Sequence, residues 1–277
     1  MKILKSMTEA MLRLARSRAN ALLEEASLQA IFDLVKKLDH IELNVHENDY
    51  YDTSDPNNAY VVTQGQRELG IQYIDVGECE YFTMCVFVLP PAHRIPLHDH
   101  PHMSVFSKVL WGEMEIESYD LVRTMPLSPK SKPSTNGNSP LPQSKMPTLS
   151  RDRIGNSNMN NINSVLFQKP TKVEALVRPR DVDIVRSGEV RMLRQFDGNV
   201  HSFMARKWTA VFDLVIPPYN TDEGRPCHYY PSPRYEMKLD PQELSKRDQT
   251  LRLTETDCPR WYFTTRREYE GSNPGLP

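Results

Sequence analysis

The amino-acid sequence predicts an all-β sandwich or barrel preceded by a helical segment. Three observations lead there. Helical periodicity is confined to residues 3–38. From about residue 69, short β-branched and aromatic runs follow one another between turn residues. The 22 prolines outnumber the 11 glycines two to one, which favours strands, turns and loops over long helices.

In the helical segment, Ile3, Leu4, Met7, Ala10, Met11, Leu14 and Ala15 fall on one face, with Lys5, Arg13 and Arg16 off it. Ser27 is the expected N-cap of a second helix running through Ile31, Leu34, Val35 and Leu38. A basic amphipathic start is also the form of a mitochondrial transit peptide, but Glu9, Glu24 and Glu25 argue against one. The expectation is a helical extension, residues 1–45, packed on the main domain.

Strand-like runs are expected at 70–76, 81–89, 103–111, 113–122, 173–177, 182–186, 189–196, 200–206 and 209–216, with a last one at 261–263. They place a β domain at 46–265 and a flexible tail at 266–277. An insertion at about 125–164 interrupts it, rich in proline and serine and then in asparagine, with few apolar residues. Such a stretch buries too little to offset its ordering entropy, so disorder is expected. It also accounts for a hydrophobic fraction of 39%, or about 43% with glycine, just under the usual 45–50%.

The formal charge of −2 supplies no global basic field, so no nucleic-acid partner is expected. No run of about 18 apolar residues suggests a membrane span. Cys79, Cys85, Cys227 and Cys258 form no CxxC pair and are too sparse for a disulfide-stapled secreted domain. With no signal-peptide core at the start, a reducing, cytoplasmic setting is expected, with nucleus and mitochondrion also open.

The densest chemistry is Pro96-Leu97-His98-Asp99-His100-Pro101-His102. On a strand, alternation puts His98 and His100 on one face as two legs of a metal site. Gly112 follows His100 by twelve residues, and a third imidazole comes in Phe196-Asp197-Gly198-Asn199-Val200-His201. This order resembles the two motifs of the cupin superfamily, a double-stranded jelly roll. Val105 stands where those motifs carry Glu, and Ala92 where they carry Gly. Three neutral imidazoles leave a divalent ion its full charge, which suits Fe(II) and an anionic thiolate ligand. Three-His zinc sites exist as well, and spacing does not choose between the metals.

The resemblance narrows further along the chain. Ala210-Val211-Phe212-Asp213-Leu214-Val215-Ile216-Pro217-Pro218-Tyr219, then Gly224-Arg225-Pro226-Cys227-His228-Tyr229-Tyr230, is similar to the thiol dioxygenases of the cysteamine dioxygenase and plant cysteine oxidase family. Pro-Leu-His-Asp-His-Pro-x-Met and Lys108-Val109-Leu110-Trp111-Gly112 fit the same pattern. The resemblance implies Fe(2+) held by His98, His100 and His201, a functional carboxylate at Asp213 and a pocket tyrosine at Tyr219. In animal members a thioether can form at the positions of Cys227 and Tyr229; a small buried hydrophobe is the alternative for Cys227. The implied substrates are O₂ and either a small aminothiol or a protein bearing an N-terminal cysteine, handled by a monomer. Another metal-dependent cupin enzyme and a cupin ligand-binding module remain alternatives at this level.

Asp213 is expected near His201, through adjacent strands joined at Lys207-Trp208. Asp99 is expected to point away from the ligands as a structural hydrogen-bond partner. His93, His102 and His228 read as surface or polar-network residues.

Overall fold

The computed structural model describes residues 3–17, 23–50, 70–127, 172–244 and 249–277. From residue 128 onward the insertion expected at 125–164 lies outside them. Two helices, α1 (Ile3–Ser17) and α2 (Glu25–Val35), precede β1 (Ile71–Glu78), β2 (Thr83–Leu89), β3 (Arg94–His98), β4 (Ser104–Trp111) and β5 (Glu113–Pro126). Then follow β6 (Val173–Pro179), β7 (Asp183–Arg186), β8 (Val190–Leu193), β9 (Val200–Ala205), β10 (Thr209–Ile216), the short α3 (Pro241–Leu244), β11 (Leu251–Thr254) and β12 (Thr264–Arg267).

The strands form two sheets. One runs β12-β1-β2-β10-β4-β8; the other runs β11-β6-β5-β9-β3, with β7 also paired to β5. Pairing is antiparallel except between β1 and β12. Consecutive strands repeatedly change sheet, as in a jelly roll. The fold is the expected cupin type.

Strands β4 and β10 are buried at every residue. An antiparallel strand with one wet face would alternate; these do not because both faces are covered. Ala210, Phe212, Leu214 and Ile216 pack outward against Leu4, Met7, Met11, Leu28, Ile31 and Val35 of the helices, whereas Val211 and Val215 face between the sheets. Each such side chain taken from water contributes about 1.5–3 kcal/mol.

The Lys108–Gly112 motif fastens the helices to this sheet. The buried Lys108 Nζ donates to the carbonyls of Lys36 (2.6 Å) and Leu38, just past the end of α2. Trp111 Nε1 donates to the Val45 carbonyl at 3.0 Å. Gly112 turns the chain at φ +93°, and a Cβ there would lie 2.2 Å from the Trp208 carbonyl oxygen.

Three local expectations differ. Helix α2 begins after Glu24, so Ser27 sits inside the helix and is buried rather than capping it. The last strand is Thr264–Arg267, after rather than at 261–263, and β11 was not expected. The tail expected at 266–277 starts inside β12, and its Tyr269 and Leu276 pack against the helix-side core. Among the described residues, no helix is long and apolar enough to cross a membrane.

Candidate metal centre

His98 ends β3 and pairs directly with His201 of β9, which pairs with Ser118 of β5. His100 lies just beyond β3, in a segment held from both sides. On one side the fully buried Asn199 accepts a hydrogen bond from the His100 amide (3.0 Å) and donates to the His100 carbonyl (2.8 Å). On the other, the buried Asp99 carboxylate accepts from the His228 amide (2.9 Å) and the Tyr230 hydroxyl (3.0 Å). His228 Nδ1 lies 2.9 Å from the same carboxylate. Burial works to lower the His228 pKa; its hydrogen bond to Asp99 and the charges of Asp99 and Glu255 together outweigh this and leave it raised. Asp99 thus faces away from the ligands, and the alternation of the HxH segment is kept past the strand end.

The three imidazoles converge. One ligand atom from each lies within 4.8 Å of the others, and His100 Nε2 is 3.1 Å from His201 Nε2. Ring centroids are 4.8–5.0 Å apart. Tyr219 donates its hydroxyl proton to the Asp99 carbonyl (2.7 Å), so at 2.7 Å it accepts from His100 Nδ1. His98 Nδ1 donates to the Pro96 carbonyl at 2.8 Å. Both contacts leave Nε2 unprotonated and turned to the cluster. Burial lowers the pKa of all three histidines, for His100 and His201 well below the ordinary value. Neutral imidazoles are the form that ligates a cation. Among the described residues no carboxylate joins the cluster. Val105 packs with Met103, Leu193 and Val215 instead.

The C-terminal motif reaches the same place. Tyr229 bridges His98 through the backbone, with ring centroids 6.3 Å apart. The Cys227 thiol interacts with the hydroxyls of Tyr219 and Tyr229; burial pushes its pKa up to about 12 against the pull of those hydroxyls, so the thiol stays protonated. Burial raises both tyrosines too.

Asp213 arrives by a different route from the one expected. Strands β9 and β10 belong to opposite sheets, because the chain crosses from one sheet to the other at 206–208. Asp213 therefore lies across the interior from the His201 sheet. Its neighbours in register are Cys85 on β2 and Ser107 on β4. Its Oδ1 has no hydrogen-bond partner, and burial pushes its pKa up to about 7. The Ser107 hydroxyl beside it pulls the other way as a hydrogen-bonding neighbour, although neither Ser107 Oγ nor Asp213 Oδ1 has a partner within full hydrogen-bond distance.

His102 is exposed, with Nδ1 2.7 Å from Gln195 Nε2, and His93 Nδ1 lies 3.2 Å from the Pro91 carbonyl. All four cysteines are free. The residue that sequence reasoning missed is Asn199. Its only signal was an amide side chain two residues before a ligand, which spacing rules do not single out.

A family described as PCO_ADO matches residues 34–273. Plant cysteine oxidase 2 of Arabidopsis thaliana is 32% identical over 160 residues, 58% of this chain and 44% of its own length. Plant cysteine oxidase 1 of the same plant is 31% identical over 198 residues, covering 72% and 52%. The 2-aminoethanethiol dioxygenase of Homo sapiens is 27% identical over 173 residues, covering 58% and 52%. The chain spans about half the length of the curated relatives it matches. Among solved structures, a cupin protein from Desulfovibrio desulfuricans overlaps 56% of this chain and 93% of its own, at 13% identity and a TM-score of 0.30.

Proposed function

The chain belongs to the PCO_ADO family, and on that footing we propose that it is an iron-dependent thiol dioxygenase acting on cysteamine, on the N-terminal cysteine of proteins, or on both. The observation that carries the proposal is the cluster of three neutral imidazoles, His100 and His201 buried and His98 half-buried, with no carboxylate among the described residues joining it and with the unpartnered Oδ1 of Asp213 across the interior. The donor set fits Fe(II): His98, His100 and His201 would hold it. Bound there, the ion would supply the O₂ chemistry and favour a thiolate, since three neutral ligands leave its charge undiminished. The overall change is RSH + O₂ → RSO₂H, with both oxygen atoms joining sulfur.

The protein's own groups do the rest. Tyr219 and Asn199 hold the His100 ring and backbone. Asp213, unpartnered at Oδ1, receives the substrate ammonium across the interior. Cys227 and Tyr229, two residues apart in an extended segment, share a face beside His98; a thioether between them would form with loss of the thiol hydrogen and one ring hydrogen, a two-electron oxidation for which O₂ is the acceptor. Free thiols suit a reducing compartment, so the setting is cytoplasmic, and the protein acts as a monomer.

The test is anaerobic Fe(II) loading, then exposure to O₂ with cysteamine, free cysteine or a Cys-initiated peptide, read by mass spectrometry. The expected product carries two added oxygen atoms. His98→Ala, His100→Ala and His201→Ala should each lose iron and turnover, while His102→Ala is mild. Full iron and full turnover in any of the three ligand variants would overturn the site.

A further inference from the structure

Beside the metal centre, the segment around Tyr229 runs extended between two neighbours. Toward β3, the Asp99 amide donates to the His228 carbonyl (3.2 Å) and the Tyr230 amide to the Leu97 carbonyl (2.9 Å), which sets Tyr229 opposite His98. On the other edge the Thr256 amide donates to the Tyr229 carbonyl (2.8 Å), and these two residues form an antiparallel bridge just past the end of β11. Antiparallel register dictates what comes next, because each step back on one segment is a step forward on the other. Two residues before Tyr229 stands Cys227, and two residues after Thr256 stands Cys258. Carried that far, the register sets the two cysteines opposite each other, on the face that Tyr229 shares with His98.

Opposed residues of an antiparallel pair have Cα atoms about 4.5–5.5 Å apart, inside the span of about 4.4–6.8 Å that a disulfide bridges. Electrostatics place the thiols together as well. Cys258 is among the groups that push up the pKa of Cys227 and of Tyr229. The other two cysteines have no such partner: Cys85 stands opposite Asp75 on β1 and Asp213 on β10, and Cys79 packs against the helix-side core. Access divides the roles within the pair. Cys258 is exposed, whereas Cys227 is half-buried between the hydroxyls of Tyr219 and Tyr229. A small molecule in solution therefore meets Cys258 first.

We propose that Cys227 and Cys258 are a reversible disulfide site, closed by exchange with a small-molecule disulfide, RSSR. In the first step the Cys258 thiolate attacks RSSR: a bond from Cys258 Sγ to one sulfur forms, the S–S bond of RSSR breaks, and one thiolate leaves. In the second, Cys227 gives up its proton and attacks Cys258 Sγ, displacing the other thiolate. Two protein thiols and RSSR become one protein disulfide and two RSH, so the protein loses two electrons and two protons and the small disulfide gains them. In a reducing compartment such a bond is transient and forms as the pool of small disulfides rises. Its effect reaches the metal centre directly. A sulfur held by Cys258 is no longer available to Tyr229, so this disulfide and the thioether exclude each other, and closure ties the strand beside His98 to the segment beyond β11.

The full chain is kept free of O₂, so that no thioether competes, and equilibrated with mixtures of oxidised and reduced glutathione. Remaining thiols are alkylated, and the intact protein and its digest are read by mass spectrometry. Wild type should lose two hydrogens and yield a Cys227–Cys258 linked peptide, in about tenfold or greater excess over any other cysteine pairing, because the register gives this pair a high effective concentration. A dithiol reductant should cleave the link, which a thioether would survive. Cys258→Ser should leave Cys227 as a free thiol, and Cys227→Ser should stop with glutathione bound to Cys258. Wild type that also stops at that mixed disulfide, or that links Cys258 no more to Cys227 than to Cys79 or Cys85, would overturn the site. Four free thiols at the most oxidising mixture would overturn it equally. Since no thiol substrate or O₂ enters the assay, its outcome is separate from that of the dioxygenase reading.

Discussion

Asp213→Asn isolates the cost of placing a carboxyl in this interior. Burial lifts the Asp213 pKa from its ordinary 3.8 to about 7. At about 1.4 kcal/mol per pH unit, that gap disfavours the ionised form by about 4 kcal/mol. The sign follows from proton counting. Below its ordinary pKa, Asp213 is protonated whether the chain is folded or unfolded, and nothing is lost. As pH rises from about 4 to about 7, the unfolded chain releases the proton while the folded one keeps it, so stability falls. Above about 7 the loss levels off. Asn keeps the shape and does not titrate. The buried histidines act in the opposite direction but are common to both proteins, so they cancel in the difference. Urea denaturation of the metal-free protein from about pH 5 to about pH 8 should show the variant gaining about 2.5 kcal/mol on wild type over that range. Parallel stability curves would refute the argument, because Asp213 would then titrate like a solvated carboxyl.

Other perturbations probe the supports of the site and of the fold. Asn199→Ala removes both hydrogen bonds to the His100 backbone, so iron affinity, read by chelator competition, should fall about 10–100-fold. Unchanged affinity would mean that Asp99 and Tyr219 alone hold the segment. Lys108→Met keeps the apolar stem but strips the donor from the Lys36 and Leu38 carbonyls; the expected loss is about 1–3 kcal/mol, with amide exchange rising first in α2. Uniform exchange across the chain would argue against that anchor. Replacing residues 128–171 with a short Gly/Ser linker should leave the melting temperature nearly unchanged. The Leu127 amide already donates to the Lys172 carbonyl at 2.7 Å, and halving a loop alters closure by only about 0.6 kcal/mol. Loss of soluble protein would show that the segment belongs to the packed structure.

How far the sequence could be read depended on whether side chains or backbone pairing made each element. Strands such as β2 and β4 were legible because long apolar runs have to be buried somewhere. Strand β12, Thr264–Arg267, carries no apolar residue, and β11, Leu251–Thr254, is four residues long with only Leu251 and Leu253 on its core side; their backbones pair with β1 and β6, and composition does not record that. Ser27 looked like a cap by residue type, yet the helix starts two residues earlier with no side-chain cap at Glu24, because its position is set by packing Leu28 and Ile31 on the sheet. The ligand histidines were legible because two of them share one short stretch and the third follows a recognisable turn. Asp213 was rightly singled out as a carboxylate in an apolar run, but its partners were misplaced: strands adjacent in sequence are not adjacent in a jelly roll. The same topology hid a row of polar residues on one sheet altogether. Asp75, Cys85, Ser107, Arg191 and Asp213 are scattered over nearly 140 residues, each on its own strand, and each looks like an ordinary interruption of that strand. Only the register of four strand pairs lines them up opposite the imidazoles, and that register depends on every connection between the sheets at once.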